Sequence, residues 1–514
     1  MDEHTRRSVL QRLGGAAAVS SAALAGCSLP TEVPTDEPGT DEPGTDEPDP
    51  ESRVPTGPFE LRGHAFLENP PAFYTFGAVR EDGRYGLVGG LHDEAGTFLV
   101  DLEDLENPAQ VHRLPSEETN RQNDVKFDPS VDVYYRSQES NVVGGEQGFQ
   151  VVDYGYEEGT PEDPEILATV ETPRTGVHKL ARHPEEPVLY AVDKAFEEPG
   201  LLVYDVSDPA SPELRREVGP DGFCHDCEVD PDRDLLHAAY IVGAFVGYVV
   251  YDVSDPTDPV ELGRVDYDDR PDYEEIGEPG FEYCHQASFD PERALAIVGD
   301  EVESGVPGGK HIYDIGWDEG SPEEPVHLGF THSPNAQEMD GEESFFWTTH
   351  FHDVIPRDDR TLLVDGGYHE GAWLADITDP RDPVASQQFP TLVDDDRAEE
   401  VWAEEDEDPL GSEAIHAPFA WSAVYNQARD FVLVSDSLTG IYVFEIDDVE
   451  FESWSIETEI RRSYSPRDEI GERGLELARH YHESHAYVPN TGNESMTEED
   501  LEEIEDLTEE EEEG

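Results

Sequence analysis

The sequence predicts an all-β fold: a seven-bladed β-propeller of four-stranded blades, its ring closed by an N-terminal strand. Three observations predict it. First, an apolar strand that ends in an acidic residue and turns through Asp-Pro-x-x-Pro recurs along the chain. The clear copies are Leu202-Val203-Tyr204-Asp205 with Asp208-Pro209 and Pro212, Val249-Val250-Tyr251-Asp252 with Asp255-Pro256 and Pro259, and Trp373-Leu374-Ala375-Asp376 with Asp379-Pro380 and Pro383. Looser copies put the acidic residue at Asp101, Asp153, Asp314 and Glu445, which makes seven units spaced 47 to 69 residues apart, a period proper to propeller blades. Second, each unit reads as four short strands, with no helical periodicity competing. Third, Phe59-Glu60-Leu61-Arg62-Gly63-His64 resembles an outer strand such as Val260-Glu261-Leu262-Gly263-Arg264, while the seventh unit lacks an outer strand after Phe444-Glu445-Ile446. The first segment therefore completes the last blade.

Residues 1–27 read as an export signal. Thr5-Arg6-Arg7-Ser8-Val9-Leu10 resembles a twin-arginine motif, a weakly apolar stretch follows, and Leu24-Ala25-Gly26-Cys27 resembles a lipobox with Cys27 as the lipidated residue. The apolar stretch is too short to span a bilayer. Residues 28–58 repeat Thr-Asp-Glu-Pro-Gly and read as an acidic, extended tether. The propeller is assigned to residues 59–450, and 451–514 form a C-terminal extension with an acidic tail. These features place the protein on the extracellular face of the cytoplasmic membrane, exported by the twin-arginine route and held through lipidated Cys27.

Charge narrows the setting further. The chain holds 122 Asp and Glu against 32 Lys and Arg, a formal net charge of −90. Lysine occurs only at Lys126, Lys179, Lys194 and Lys310. A folded protein so charged fits molar salt, where repulsion is screened within a few ångströms, and we expect a halophilic source. Nucleic acid is excluded as a partner, because phosphate binding needs a basic surface.

Within the propeller the third unit sets the pattern: Val177–Ala181, Val188–Val192, Leu201–Tyr204 and Glu213–Val218 are its strands. A turn through His183-Pro184 follows the first strand, matched by Pro129, Pro231, Pro291 and Pro356 elsewhere; proline belongs at strand ends because it lacks an amide donor. Asp and Ser after the third strand bond nearby amides and stabilise that bend. These repeats resemble the LVIVD repeat family, named for the strand that here reads Leu202-Val203-Tyr204-Asp205 and Val249-Val250-Tyr251-Asp252. The likeness covers about residues 59–450. It implies an exported or surface propeller-like protein and, as the family has no settled common activity, implies no reaction.

The chemistry-bearing residues lie at the start of the first strands. Six residues before each turn proline stand Asn123, His178, His225, His285 and His350; Gly77 and Trp421 hold the place in units one and seven. In a propeller these side chains gather at one mouth of the central channel. Gly89-Gly90-Leu91-His92 and Gly366-Gly367-Tyr368-His369 reach the same face, and His352 shares an alternation face with His350. Two readings follow. One is a metal site for copper, zinc or iron on His350, His352, His285, His225 and His178, with His92 and His369 across the channel. The other is a repeated hydrogen-bonding fastener within each blade, with Asp193 or Asp365 as partners. Cys224, Cys227 and Cys284 supply either a disulfide, Cys224 with Cys284 between adjacent blades or Cys224 with Cys227, or thiolate ligands. The longest linkers, 266–283, 331–348 and 390–415, enter first strands and overhang this mouth. Loops collected on one face indicate binding. The sequence thus points to binding of an envelope protein or surface glycan, or to a metal-dependent enzyme of oxidoreductase type. Phosphate-loop, EF-hand and nucleophile-elbow motifs are absent.

Overall fold

The computed structural model describes residues 59–446, apart from 68–72, 92–95, 117–119, 141–146, 173–175, 195–197, 270–280, 282, 302–307, 333–348 and 392–417. Cys27, the tether, His92 and residues 447–514 lie outside the described residues.

The described chain is all β apart from short 3-10 turns. Strand β1 is Phe59–Ala65. Unit one holds β2 to β5 (Phe73–Val79, Tyr85–Leu91, Thr97–Asp101, Ala109–Leu114). Unit two holds β6 to β10 (Asn120–Arg121, Val125–Phe127, Val133–Ser140, Gly148–Asp153, Glu165–Val170), its first strand broken into β6 and β7, both on β8. Unit three holds β11 to β14 (Val177–Arg182, Val188–Asp193, Pro199–Asp205, Glu213–Asp221). Unit four holds β15 to β18 (Phe223–Asp230, Leu235–Val242, Gly247–Asp252, Val260–Asp266), and unit five β19 to β22 (Cys284–Phe289, Leu295–Asp300, Gly309–Asp314, Val326–His332). Units six and seven, β23 to β26 (Phe351–Pro356, Thr361–Gly367, Gly371–Asp376, Val384–Phe389) and β27 to β29 (Ala420–Asn426, Phe431–Asp436, Gly440–Ile446), join with β1 into one eight-stranded sheet. The joint is a single parallel pair, Phe351 with Ser422. Within units the strands are antiparallel and meander in chain order. Strand β1 pairs antiparallel with β29, from Phe59 opposite Ile446 to Ala65 opposite Ile441.

Side-chain and backbone bonds explain the turns. Asp101, Asp205, Asp252 and Asp376, at the ends of the third strands, each accept the amide two residues on (Glu103, Ser207, Ser254 and Thr378) at 2.8–2.9 Å. The aspartate of the Asp-Pro step repeats the device: Asp208, Asp255 and Asp379 accept the amides of Ala210, Thr257 and Arg381. These Asx turns compete with strand continuation and end it. Asp153 and Asp314 act differently. Each carboxylate gathers four amides, those of Gly155, Tyr156, Glu157 and Gly159 or of Gly316, Trp317, Asp318 and Gly320. Glu445 instead pairs with Arg62 of β1 at 2.7 Å.

The apolar core lies between neighbouring sheets. Tyr190, Leu201 and Val203 of unit three pack on Cys224, Leu236 and Tyr240 of unit four. Ala239, Tyr248 and Val250 of unit four pack on Cys284, Ala296 and Tyr313 of unit five. Val88, Phe98 and Val100 of unit one pack on Leu433, Ile441 and Val443 of unit seven. Two glycines set the spacing. A Cβ at Gly89 would meet the Gln122 carbonyl at 2.2 Å, and one at Gly366 would meet the Ser422 backbone at 2.7–3.0 Å. The Gly-Gly motifs of units one and six thus admit the neighbouring backbone.

First strands contact one another in succession: β2 with β7, β7 with β11, β11 with β15, β15 with β19, β19 with β23, β23 with β27, and β27 with β2. Where they converge, the centre is filled. Lys179 Nζ sits 3.3 Å from the Phe76 ring centroid and 4.1 Å from that of Phe351, so residues of units one, three and six meet there. The sequence places the mouth of a central channel where the first strands begin, and at the level of Lys179 the structure has an aromatic and cationic plug.

Candidate functional site

A bulge places the first-strand residues. In β11, β15, β19 and β27 the register with the second strand slips at His178, His225, His285 and Trp421. The extra residue bends the strand and re-aims its side chain. In unit one the slip covers Thr75 and Phe76. Aligning the pairing puts Thr75, not Gly77, in the place of His178, because Val79 opposite Gly86 matches Arg182 opposite Leu189.

The four in-register histidines form a row. Ring centroids are 4.3 Å apart for His178 and His225, 4.1 Å for His225 and His285, and 4.6 Å for His285 and His350. All four are buried. Burial holds them neutral, taking His178 down to about 4 and the other three well below the usual range.

Several members of this position do act as fasteners, but between units and not within one. Thr75 Oγ1 donates to the Gln122 carbonyl at 2.7 Å, His225 Nδ1 to that of His285 at 3.0 Å, and His350 Nδ1 to that of Trp421 at 2.6 Å. One residue further on, a second set of locks accepts amides from the next unit. Asp124 takes Leu180, Asp226 takes Ala287, Gln286 takes His352, and Ser422 takes Gly77. Asp365, expected as a histidine partner, holds the chain entering its own unit through Thr349 Oγ1 and the His350 amide. Asp193 accepts the Gly176 amide.

His178 and His285 depart from the fastener pattern. His178 Nδ1 lies 2.7 Å from Glu139 Oε2, a buried carboxylate that also receives Arg121 and Lys194. These cations hold Glu139 well below the ordinary carboxylate range despite its burial. His285 Nε2 lies 3.5 Å from Glu301 Oε2, and His350 Nε2 lies 3.8 Å from Glu301 Oε1. The Tyr368 hydroxyl donates to Glu301 Oε1. One ligand atom each from His285, Glu301 and His350 fall within 4.8 Å of one another, a span that a single ion can close.

The structure brings His285 and His350 together, with His225 and His178 next in the row, and adds Glu301. It does not bring His352 in: its Nε2 bonds Ser288 Oγ at 2.6 Å, away from the row. His369 belongs to the turn Tyr368–Glu370, its side chain lying outside the described residues, and the Tyr368 hydroxyl of the same turn reaches Glu301.

The cysteine expectation is corrected. Cys224, Cys227 and Cys284 are free and buried. Cys224 packs in the core between units three and four, Cys284 in the core between units four and five. Equivalent positions in adjacent sheets face different interfaces, with a sheet between them. The Cys224–Cys227 alternative fails too. Both sit in one core, because the bulge at His225 undoes the alternation, yet they remain thiols. Burial pushes all three well above the usual thiol range, which disfavours thiolate ligation.

Glu301 had no sequence signal among so many acidic residues. Lys310 had one: it is one of four lysines in the chain. Its Nζ lies 2.6 Å from the His350 carbonyl and 2.9 Å from Asp365 Oδ1, fully buried.

The LVIVD repeat model matches residues 195–218 and 239–267, the stretches that contain β13 and β17. The chain carries LVIVD repeats. No curated protein matches it. Among solved structures, Sqt1 from Chaetomium thermophilum bound to the N-terminus of the ribosomal protein L10 is 12% identical with a TM-score of 0.47, over 75% of this chain and 100% of that one. A functionally unknown protein from Desulfotomaculum acetoxidans is 12% identical with a TM-score of 0.41, over 62% of this chain and 85% of that one. The nidogen/laminin complex gives 11% and 0.35, over 59% and 92%.

Proposed function

We propose that this chain is an exported, lipid-anchored β-propeller that binds a protein of the cell envelope. Seven blades arranged in a ring are supported by the succession of first-strand contacts that returns from β27 to β2. Closure is supported by the pairing of β1 with β29, by Arg62 with Glu445, and by the Ser422 bond to the Gly77 amide. Export and anchoring rest on the twin-arginine pattern and Cys27.

The observation that carries the binding reading is where the chain spends its extra length. The long connections β18 to β19, β22 to β23 and β26 to β27 each run from a fourth strand to the first strand of the next unit. In a meander of four antiparallel strands these connections share one end, the end at which the histidine row begins. Three long segments at one end of a rigid scaffold make a recognition face.

The test uses full-length protein with its native envelope in molar salt. Crosslinking is followed by identification of the partner. Deleting 333–348 or 392–412 abolishes capture of the same protein, while Cys27→Ser releases the chain from membranes and leaves capture by detergent-solubilised envelope intact. A partner that survives both deletions overturns the assignment of this face, and periodate-sensitive capture identifies a glycan instead of a protein.

A further inference from the structure

We propose that His285, His350 and Glu301 form a binding site for one divalent transition ion of the zinc class. This goes beyond the binding face and does not depend on its partner.

Two hydrogen-bond acceptors face each other at this place without a hydrogen between them. A backbone carbonyl only accepts, so His350 Nδ1, 2.6 Å from the Trp421 carbonyl, carries the ring hydrogen. His350 Nε2 is then a bare lone pair. It faces Glu301 Oε1, which is also an acceptor, across 3.8 Å. On the other side His285 Nε2 faces Glu301 Oε2 across 3.5 Å. With the His285 hydrogen on Nδ1, its Nε2 is a third electron-pair donor, and one ligand atom from each of the three residues lies within 4.8 Å of the others. An ion at about 2.0–2.2 Å from each resolves the conflict after small side-chain rotations.

His285 supplies the second observation. At its position the neighbouring units use the side chain as a fastener to the next unit's carbonyl, as His225 and His350 do. The corresponding acceptor for His285 is the His350 carbonyl, and Lys310 Nζ occupies it at 2.6 Å. His285 Nδ1 consequently has no hydrogen-bond partner although the residue is 1% exposed. An imidazole buried at that cost and released from the structural role of its equivalents is explained by a ligand on its other nitrogen. Lys310 and Tyr368 then serve as the supporting shell. Lys310 fixes the His350 backbone, and the Tyr368 hydroxyl orients the Glu301 carboxylate.

The donor set selects the ion. Two neutral imidazoles and one carboxylate suit zinc, iron(II) or copper(II) over calcium or magnesium, which take oxygen shells. Three protein ligands leave at least one position open, as in catalytic and not in closed structural zinc sites.

The experiment is metal titration of the chelator-treated, full-length protein in molar potassium chloride, with Zn²⁺ as the probe and Co²⁺ as its spectroscopic substitute. The wild type is expected to take up one Zn²⁺ per chain, and Co²⁺ to show the intense visible absorption of a low-coordinate site. Glu301→Gln and His285→Gln are each expected to weaken binding by more than the roughly 10–100-fold that loss of a supporting group costs. Tyr368→Phe falls within that range. His352→Gln, bonded elsewhere, leaves affinity unchanged. No 1:1 uptake by the wild type, which requires no variant to fold, overturns the proposal. So does equal affinity in Glu301→Gln and His285→Gln, with circular dichroism showing them folded. Partner capture by metal-free protein reads the binding face separately.

Discussion

Lysine is almost absent from this chain, and where it survives it works. Lys179, Lys194 and Lys310 are buried, and only Lys126 keeps partial exposure. Each faces a carboxylate: Asp124 for Lys126, Asp124 and Asp226 for Lys179, Glu139 for Lys194, and Asp365 for Lys310. A buried ion pair is poor evidence of net stability, yet removing one partner strands the other charge. Lys310→Met is therefore expected to cost about 3–5 kcal/mol, while the double change with Asp365→Asn recovers part of the loss. Urea unfolding at constant molar salt measures both. His237 gives the pH counterpart. It is buried against Tyr248, whose hydroxyl lies 2.6 Å from Nδ1, and stacks on Phe289. Burial takes it down to about 3. The unfolded chain, near 6.5, binds the proton first, so stability present above pH 6.5 is lost as pH falls toward 3, at about 1.4 kcal/mol per unit. His237→Gln keeps a partner for Tyr248 and lacks the titration. The difference in melting temperature between wild type and variant should shift against the wild type from pH 7 to pH 5; a constant difference sinks the assignment.

At the scale of the element, two local devices recur and only one was legible. The Asx turns carry a compositional mark, aspartate followed two residues later by a small or polar residue, so the third strand of unit three, read from the sequence as Leu201–Tyr204, lies within a few residues of Pro199–Asp205. The first-strand bulge carries none. An extra residue in a strand changes no composition, so the expected alternation of Cys224 against Cys227 did not hold, whereas β23 runs without a bulge and His352 leaves the row because its ring bonds Ser288. Unit one lacks the turn proline that anchored the count, which is why Gly77 was expected where Thr75 stands. Glu301 lies just beyond the second strand of unit five, a position at which no repeat predicts an acid. In the sequence Asp153 and Asp314 are only loose copies of the Asp-Pro turn. Their structure makes them the stronger turns. Asp314 gathers the amides of Gly316, Trp317, Asp318 and Gly320, which hold its carboxyl below the ordinary range even though burial works the other way. Loss of one charged acceptor from several amides costs about 1.5–3 kcal/mol. Asp314→Ala should fall at the upper end, and Asp252→Ala, with one amide, should cost about 1 kcal/mol. Parallel urea titrations rank them; the reverse order would refute the distinction.

Charge is arranged on the scale of the whole molecule. Cations are drawn to the convergence of the first strands, while the fourth strands turn acid outward: Glu165, Glu213, Glu217 and Glu261 are on or near the exposed faces of β10, β14 and β18. With a formal net charge of −90, the compact state works against its own repulsion. The Debye length falls from about 10 Å at 0.1 M to about 3 Å at 1 M salt, so only in concentrated salt is that repulsion confined to nearest neighbours. The interior ion pairs are shielded from salt by burial and keep their strength, which separates the two effects experimentally. The melting temperature is expected to rise steeply with potassium chloride between roughly 0.1 and 2 M, with β-sheet circular dichroism lost at the low end. Replacing Glu165, Glu213, Glu217 and Glu261 together with glutamine should lower the salt needed for a given melting temperature. Lys310→Met should depress the whole curve without moving it along the salt axis. A melting temperature that is flat over this range, or a quadruple variant that follows the wild-type curve, would mean that the acidic coat is not what ties this fold to salt.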